Sequence, residues 1–322
     1  MITEIAPGVH RIEVPLGVRR NSVHLVVGVD SVLLFDAGIA GQMPDVLASA
    51  LAHVGRSLDD LSHVVFSHCD IDHWGGAGDV RELAPMAMFA SHRDEQALVE
   101  DTEVALARRY QEFAADHGVG WDEEFHDLQR SRARPVPMDA ALSGGERIDL
   151  GGRIVEVLHV PGHSRGHLAV WDVTTRTLLV GDAVLGDSVF DLENRLVMPP
   201  NYRYPSDYRA TCARLAGLEP EWLLAAHFPA MGRDEARRFL RSSIEYSEVV
   251  EAALRDALAT AICASTLELV RTMQSKLGPW PVPLGDFGLA AMLIGHLEEW
   301  VADGRAEQSR TAAGRVEWAL RA

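Results

Sequence analysis

A chain of 322 residues with a formal net charge of −17 repels polyanions, and its Lys and Arg form only short pairs such as Arg237-Arg238, so nucleic acid is not an expected partner. No apolar run approaches the ~20 residues that a bilayer crossing needs, so no membrane contact is expected. Three dispersed cysteines, Cys69, Cys212 and Cys263, exclude a disulfide framework, and the opening residues Met1 to Gly8 lack a secretory pattern, so the expected location is cytoplasmic.

In chain order, the apolar runs predict strands at His10–Val14, Val23–Val29 and Val32–Asp36, a helix over Met43–Val54, and a strand at His63–Ser67. Directly after that strand comes Ser67-His68-Cys69-Asp70-Ile71-Asp72-His73-Trp74-Gly75-Gly76. Four ligand-type side chains, His68, Asp70, Asp72 and His73, fall within six residues of a strand-to-helix turn. Two imidazoles and two carboxylates crowded there repel or lose hydration unless a cation joins them. The plainer reading is a polar loop that happens to be rich in His and Asp. Alternation along an extended segment points Cys69 away from such a cluster, as a small buried residue. Trp74 is expected to pack beneath the loop.

A short helix at Asp79–Leu83 and a strand at Met86–Ala90 follow. From 92 to 128 the chain is polar and helical, with Leu106, Tyr110 and Phe113 marking one apolar face. It reads either as a surface helix or as a lid over the ligand cluster, and the hinge-like turn at Gly118, Gly120 and Trp121 favours a lid. Ser131 to Gly145 reads as a connecting loop. Strands are then expected at Ile154–Val160, Leu168–Val173, Thr177–Gly181 and Trp222–Ala226, with a helix at Tyr208–Leu215. His163, Asp182 and His227 each stand at the exit of an apolar run. Composition alone gives an α/β or α+β class. The tail predicts helices at Asp234–Ala259, Ser265–Leu277 and Phe287–Gly304, then a hairpin of Arg305–Arg310 and Arg315–Leu320.

Six blocks in order carry a resemblance: Asn21-Ser22-Val23-His24, Leu34-Phe35-Asp36-Ala37-Gly38, the His68 to His73 cluster, Pro161-Gly162-His163, Gly181-Asp182 and His227. Over roughly residues 1–250 they resemble the metallo-β-lactamase fold superfamily. The resemblance implies an α+β fold, an αββα sandwich of two mixed sheets flanked by helices. It places a catalytic domain at 1–250, with the helical insert at 92–128, and a C-terminal module at 251–322. That module resembles a winged helix; its acidic, apolar helices favour a packing or dimerisation appendage instead, which leaves a homodimer open.

The resemblance also implies two divalent ions. The first takes His68, Asp70 and His163; the second takes Asp72, His73 and His227; Asp182 bridges them. Such a pair holds a bridging hydroxide and hydrolyses an ester-like bond, a lactone or thioester, of a small-molecule substrate. Asp72 is thus both ligand and catalytic residue. Asn201-Tyr202-Arg203-Tyr204 stands where relatives place a loop facing the metals, so Tyr202 or Tyr204 would donate to a developing oxyanion and Arg203 would bind a carboxylate or phosphate. Asp36 and His159 are candidates to orient the ligand imidazoles, while His24 and His167 read as structural. One position departs: the family usually has His where this chain has Asp70. The added carboxylate favours harder ions, so iron or manganese gains on zinc; the order is two zinc ions, then iron or manganese, then one metal ion only. The alternatives are a phosphodiesterase or endoribonuclease, suggested by the tail, and an iron-dependent redox enzyme of the same fold, suggested by Asp70.

Overall fold

The computed structural model describes residues 1–14 and 16–321. Its apolar runs form two mixed sheets. The first has seven strands in chain order, Ile2–Ala6, Val9–Glu13, Ser22–Val27, Val32–Phe35, Leu61–Val65, Met88–His92 and Ala140–Leu142. The first four pair antiparallel, and from Val32–Phe35 onward the pairing is parallel. The second has six strands in the order Met231–Gly232, Trp222–Ala225, Thr177–Gly181, Leu168–Asp172, Ile154–His159, Arg147–Asp149, with one parallel pairing, between Thr177–Gly181 and Trp222–Ala225.

Alternation along each strand sorts side chains between layers. Leu33, Phe35 and Val65 of the first sheet meet Val157, Val170, Leu179 and Leu224 of the second between the sheets. Their neighbours Leu34 and Val64 face outward onto Leu47, Leu51 and Val80 of the helices Met43–His53 and Ala77–Leu83. On the far side, Leu178, Val180 and Leu223 pack on Tyr208, Leu215 and Leu240 of Pro205–Gly217 and Arg233–Ala259. Burial on both faces explains why these strands read as continuous apolar runs. The architecture is the αββα sandwich expected. Ile2–Ala6, Arg147–Asp149 and Ala140–Leu142 were not foreseen; they are short and partly exposed, and the last lies inside the expected connecting loop.

The insert is a series of short turns: Gln96–Val99, Thr102–Ala105, a π-helical turn at Leu106–Tyr110, Ala114–His117 and Glu123–Ser131. Gly118, in the left-handed region at φ 74°, ends the fourth. Leu106 and Tyr110 are buried in the outer layer of the first sheet, whereas Phe113 is buried with the second.

Arg233–Ala259 is one unbroken helix that runs through positions 250 and 251. Ala264–Ser265, Thr266–Leu277, Leu284–Ala302 and the strands Ala306–Arg310 and Val316–Leu320 follow, with Val316–Leu320 central in a three-stranded sheet. Leu284–Ala302 is apolar on nearly every side and buries most of them against the second sheet's outer layer. Gly295 permits the approach: a Cβ there would stand 2.3 Å from the Arg203 carbonyl oxygen. The helix therefore lies on the 199–205 loop and carries Leu284 and Phe287 into the lining of a cavity that Asp72 and His227 also line. Among the described residues no helix is long and apolar enough to cross a membrane.

Candidate metal centre

Every ligand-type residue singled out above leaves the C-terminal edge of a strand. His68 to His73 follow Leu61–Val65, His163 follows Ile154–His159, Asp182 follows Thr177–Gly181, and His227 follows Trp222–Ala225. The two sheets bring all seven together. Three groups of donor atoms lie within 4.8 Å of one another: His68, Asp70 and His163; His68, His73 and Asp182; Asp72, His73 and His227. Asp182 lies between the outer groups, its Oδ2 3.6 Å from His73 Nε2 and 3.3 Å from His227 Nε2.

Surrounding hydrogen bonds fix the imidazoles. Asp36 Oδ2 accepts from His73 Nδ1 at 2.9 Å and from Ser67 Oγ at 2.9 Å, and Ser67 Oγ in turn accepts from His68 Nδ1 at 2.9 Å. The Arg20 carbonyl accepts from His227 Nδ1 at 2.7 Å. Each of these rings thus turns its Nε2 toward the centre. His68 Nε2, His73 Nε2 and Asp182 Oδ1 are buried without a hydrogen-bond partner. Orphaned buried acceptors facing one point are what a cation satisfies, so Asp72, His73, Asp182 and His227 fit a divalent ion.

The first group is arranged differently. The Arg109 guanidinium, on the π-helical turn, grips Asp70 through Nε–Oδ1 at 2.7 Å and Nη2–Oδ2 at 3.0 Å, and its Nη2 also stands 3.0 Å from His163 Nε2. Next to it the Tyr110 hydroxyl accepts the Ile71 backbone N–H at 2.9 Å. Neither residue was singled out for the site from the sequence. The available signal was an extra carboxylate, Asp70, that needed a cation.

Electrostatics follow the geometry. Burial pushes the Asp70 carboxyl up, but Arg109, helped by His163 and His68, holds it well below the usual carboxylate range. Burial opposes the charge on His73 and His227, yet Asp182 and Asp36 raise His73 well above its ordinary value, and Asp182 and Asp72 raise His227 to about 9. His24, buried and next to Arg11 and His73, is driven down to about 3, chiefly by burial. His167 stacks on His68 with ring centroids 4.5 Å apart, and its Nε2 accepts the Asp182 backbone N–H at 3.2 Å, so it holds two members of the cluster in place.

Asp70, Asp72, Asp182 and His227 form one end of a cavity of about 800 Å³. Its other walls come from the insert (Tyr110, Trp121, Phe125, Leu128), from Leu185, Val189, Val197 and Met198, and from Leu284 and Phe287, with Arg19 and Arg132 as its cations and Asp122 and Glu124 as further carboxylates. The two tyrosines expected at the reaction centre do not line it. Tyr202 is wholly buried, stacked on Tyr208, and its hydroxyl meets His296 Nε2 at 3.2 Å. Tyr204 lies under the Arg165 guanidinium. Arg203 is not free to take a ligand, because Glu112 and Glu298 hold all three of its guanidinium nitrogens. His159 bonds the Arg165 carbonyl and stacks on His92, away from the ligands. Trp74 is buried and donates to the Cys69 carbonyl at 2.8 Å, beneath the ligand loop. Cys69 is buried outside all three donor groups, its thiol pushed up chiefly by burial.

Comparison with known proteins agrees with this geometry. Residues 16–227 match the family profile described as the metallo-beta-lactamase superfamily. The human acyl-coenzyme A thioesterase MBLAC2 is 27% identical over 273 residues, which cover 81% of this chain and 90% of that protein. A hydroxyacylglutathione hydrolase from Acidiphilium cryptum is 37% identical over 94 residues, 29% of this chain and 34% of its own. Among solved structures, the metallo-beta-lactamase family protein TTHA1429 from Thermus thermophilus superposes with a TM-score of 0.74 at 21% identity, covering 99% of this chain and 100% of its own. With the fold, the ordered ligand blocks and the profile match in agreement, the chain belongs to the metallo-beta-lactamase superfamily and is a metal-dependent hydrolase.

Proposed function

We propose that the chain is a thioesterase that hydrolyses the acyl–sulfur bond of an apolar acyl group on an anionic carrier. The observation that carries this reading is the cavity: Asp70, Asp72, Asp182 and the His227 imidazole on its lining, apolar side chains along most of the rest, and two arginines on a wall that also carries Asp122 and Glu124. An apolar acyl chain gains roughly 0.8 kcal/mol per methylene buried against such walls. Arg19 and Arg132 suit the phosphates or carboxylates of a carrier thiol. Two relatives named for acyl-coenzyme A and hydroxyacylglutathione support the thioester over the lactone.

Asp72, His73, Asp182 and His227 would hold a divalent ion, which supplies a Lewis acid for the carbonyl oxygen and lowers the pKa of water toward ~7. The rest is done by the chain. Asp36 and the Arg20 carbonyl keep His73 and His227 in the one tautomer that presents Nε2. His167 fixes the Asp182 backbone. Trp121, Phe125 and Phe287 cover the cavity and keep bulk water from the reacting bond.

The test is a panel of acyl-coenzyme A esters of graded length, an S-acylglutathione, a lactone and an aryl phosphodiester, run on metal-loaded and chelator-treated protein. Thioester turnover that chelation abolishes is expected. Turnover of the phosphodiester or the lactone alone would overturn the proposal.

A further inference from the structure

We propose that the Arg109 guanidinium takes the place of the first metal ion, so the chain holds a single divalent ion, on Asp72, His73, Asp182 and His227. The inference rests on the metal-dependent reading above and concerns how many ions serve it.

Donor accounting separates the two groups. Both oxygens of Asp70 accept from Arg109, at 2.7 and 3.0 Å, and His163 Nε2 lies 3.0 Å from both Arg109 Nη2 and Asp70 Oδ2. Two nitrogens of the first group lack a partner, His68 Nε2 and His163 Nδ1, but the His163 ring meets Asp70 and Arg109 through Nε2, so only His68 offers a free nitrogen to the Asp70 carboxylate's neighbourhood. One imidazole is a poor site for a divalent ion, which ordinarily takes three or more protein donors. The second group keeps bare His73 Nε2 and Asp182 Oδ1, with His227 Nε2 directed at Asp72 and Asp182.

Chemistry and position agree. A guanidinium fork matches a carboxylate in a bidentate pair and cannot do so with an imidazole, so Asp at position 70 suits Arg109 where His would not. Arg109 is buried and sits on a π-helical turn tied to the ligand loop by the neighbouring Tyr110–Ile71 hydrogen bond, so it is a fixture of the site. Charge is consistent as well: one divalent ion and one guanidinium offset the three carboxylates of Asp70, Asp72 and Asp182 in the simple count. Arg109 acts as a positioning residue, neutralising Asp70 and holding His163 while the ion sits on the other side.

The full chain is stripped with chelator, reloaded with excess zinc or, separately, manganese, freed of loose metal, and its ions per chain counted by mass spectrometry. One ion is expected, with anomalous scattering between Asp72, His73, Asp182 and His227. Two ions, or one ion bound by His68, Asp70 and His163 with Arg109 displaced, overturns the proposal. Arg109→Met removes the fork and frees Asp70 and His163, so its count is expected to rise from one to two. A folded Arg109→Met chain that still binds one ion also overturns it, and the unaltered chain decides the matter should the variant not fold. Binding no ion would defeat the metal reading beneath it, while one ion without thioester turnover would defeat only the substrate assignment.

Discussion

Asp36 holds His73 from a backbone that few residues adopt: its φ is +66°, and its carboxylate accepts from His73 Nδ1 at 2.9 Å and from the Ser67 backbone N–H at 2.7 Å. Asn tolerates that left-handed conformation, so Asp36→Asn isolates the charge and the acceptor from the backbone. Its amide would turn a donor toward His73, and the ring would answer with the tautomer whose Nε2 carries the proton. Metal affinity is expected to fall about 10- to 100-fold with little change in fold. Titration of the stripped variant with a competing chelator checks this, and an unchanged affinity would remove Asp36 from the account.

Tyr110→Phe tests the tie between the insert and the ligand loop. The phenol is the acceptor for the Ile71 backbone N–H, a buried donor at the start of the short helix that carries Asp72 and His73. Leaving it unmade costs about 1–3 kcal/mol. Urea unfolding is expected to show that loss, together with weaker metal binding. A loss of activity with neither change would instead make the hydroxyl a direct catalytic group.

That the seven ligand candidates cluster follows from their positions at strand exits, which the apolar runs mark and the sheets fix. Arg109 was not legible in the sequence. Its partner Asp70 lies 39 positions away, and the link passes through a π-helical turn that breaks the 3.6 period needed to keep Leu106, Tyr110 and Phe113 on one face. The tyrosines failed for a related reason. Their loop was placed by chain position, whereas Gly295 lets Leu284–Ala302 settle on it and seal Tyr202 against His296. Contacts between distant segments decided both cases, and no local pattern records them.

Trp121 joins the insert to the tail across the cavity, stacked on Phe125 at 3.8 Å between ring centroids and meeting Phe287 at 5.4 Å. If the acyl chain lies along these rings, Trp121→Ala should penalise long chains and spare short ones. Loss of one buried aromatic wall is worth about 1.5–3 kcal/mol, or roughly 10- to 100-fold in kcat/KM. The measurement is kcat/KM across acyl lengths, and an equal loss at every length would count against this lining as the acyl site.

Stripped of metal, the centre should be least stable in alkali. The folded chain raises His227 from 6.5 to about 9, and His73 moves the same way, because Asp182, Asp72 and Asp36 outweigh burial. A raised folded pKa means that folding takes up a proton between those values. The stabilisation is complete below about pH 6.5 and disappears as pH climbs through 9; for His227 it amounts to about 3 kcal/mol. The acid side is limited by the opposite case. His24, held near 3, stays neutral when folded, and Asp182 is held low chiefly by His227 and His73 against burial, so both withdraw stability as pH falls. Metal-loaded protein should not show the alkaline decline, because its imidazoles have already surrendered those protons to ligation. Urea midpoints at pH 6.5 and 9, with chelator and with zinc, are expected to converge toward acid and separate toward alkali. Parallel curves would mean that these imidazoles do not carry the protons that a bound ion displaces.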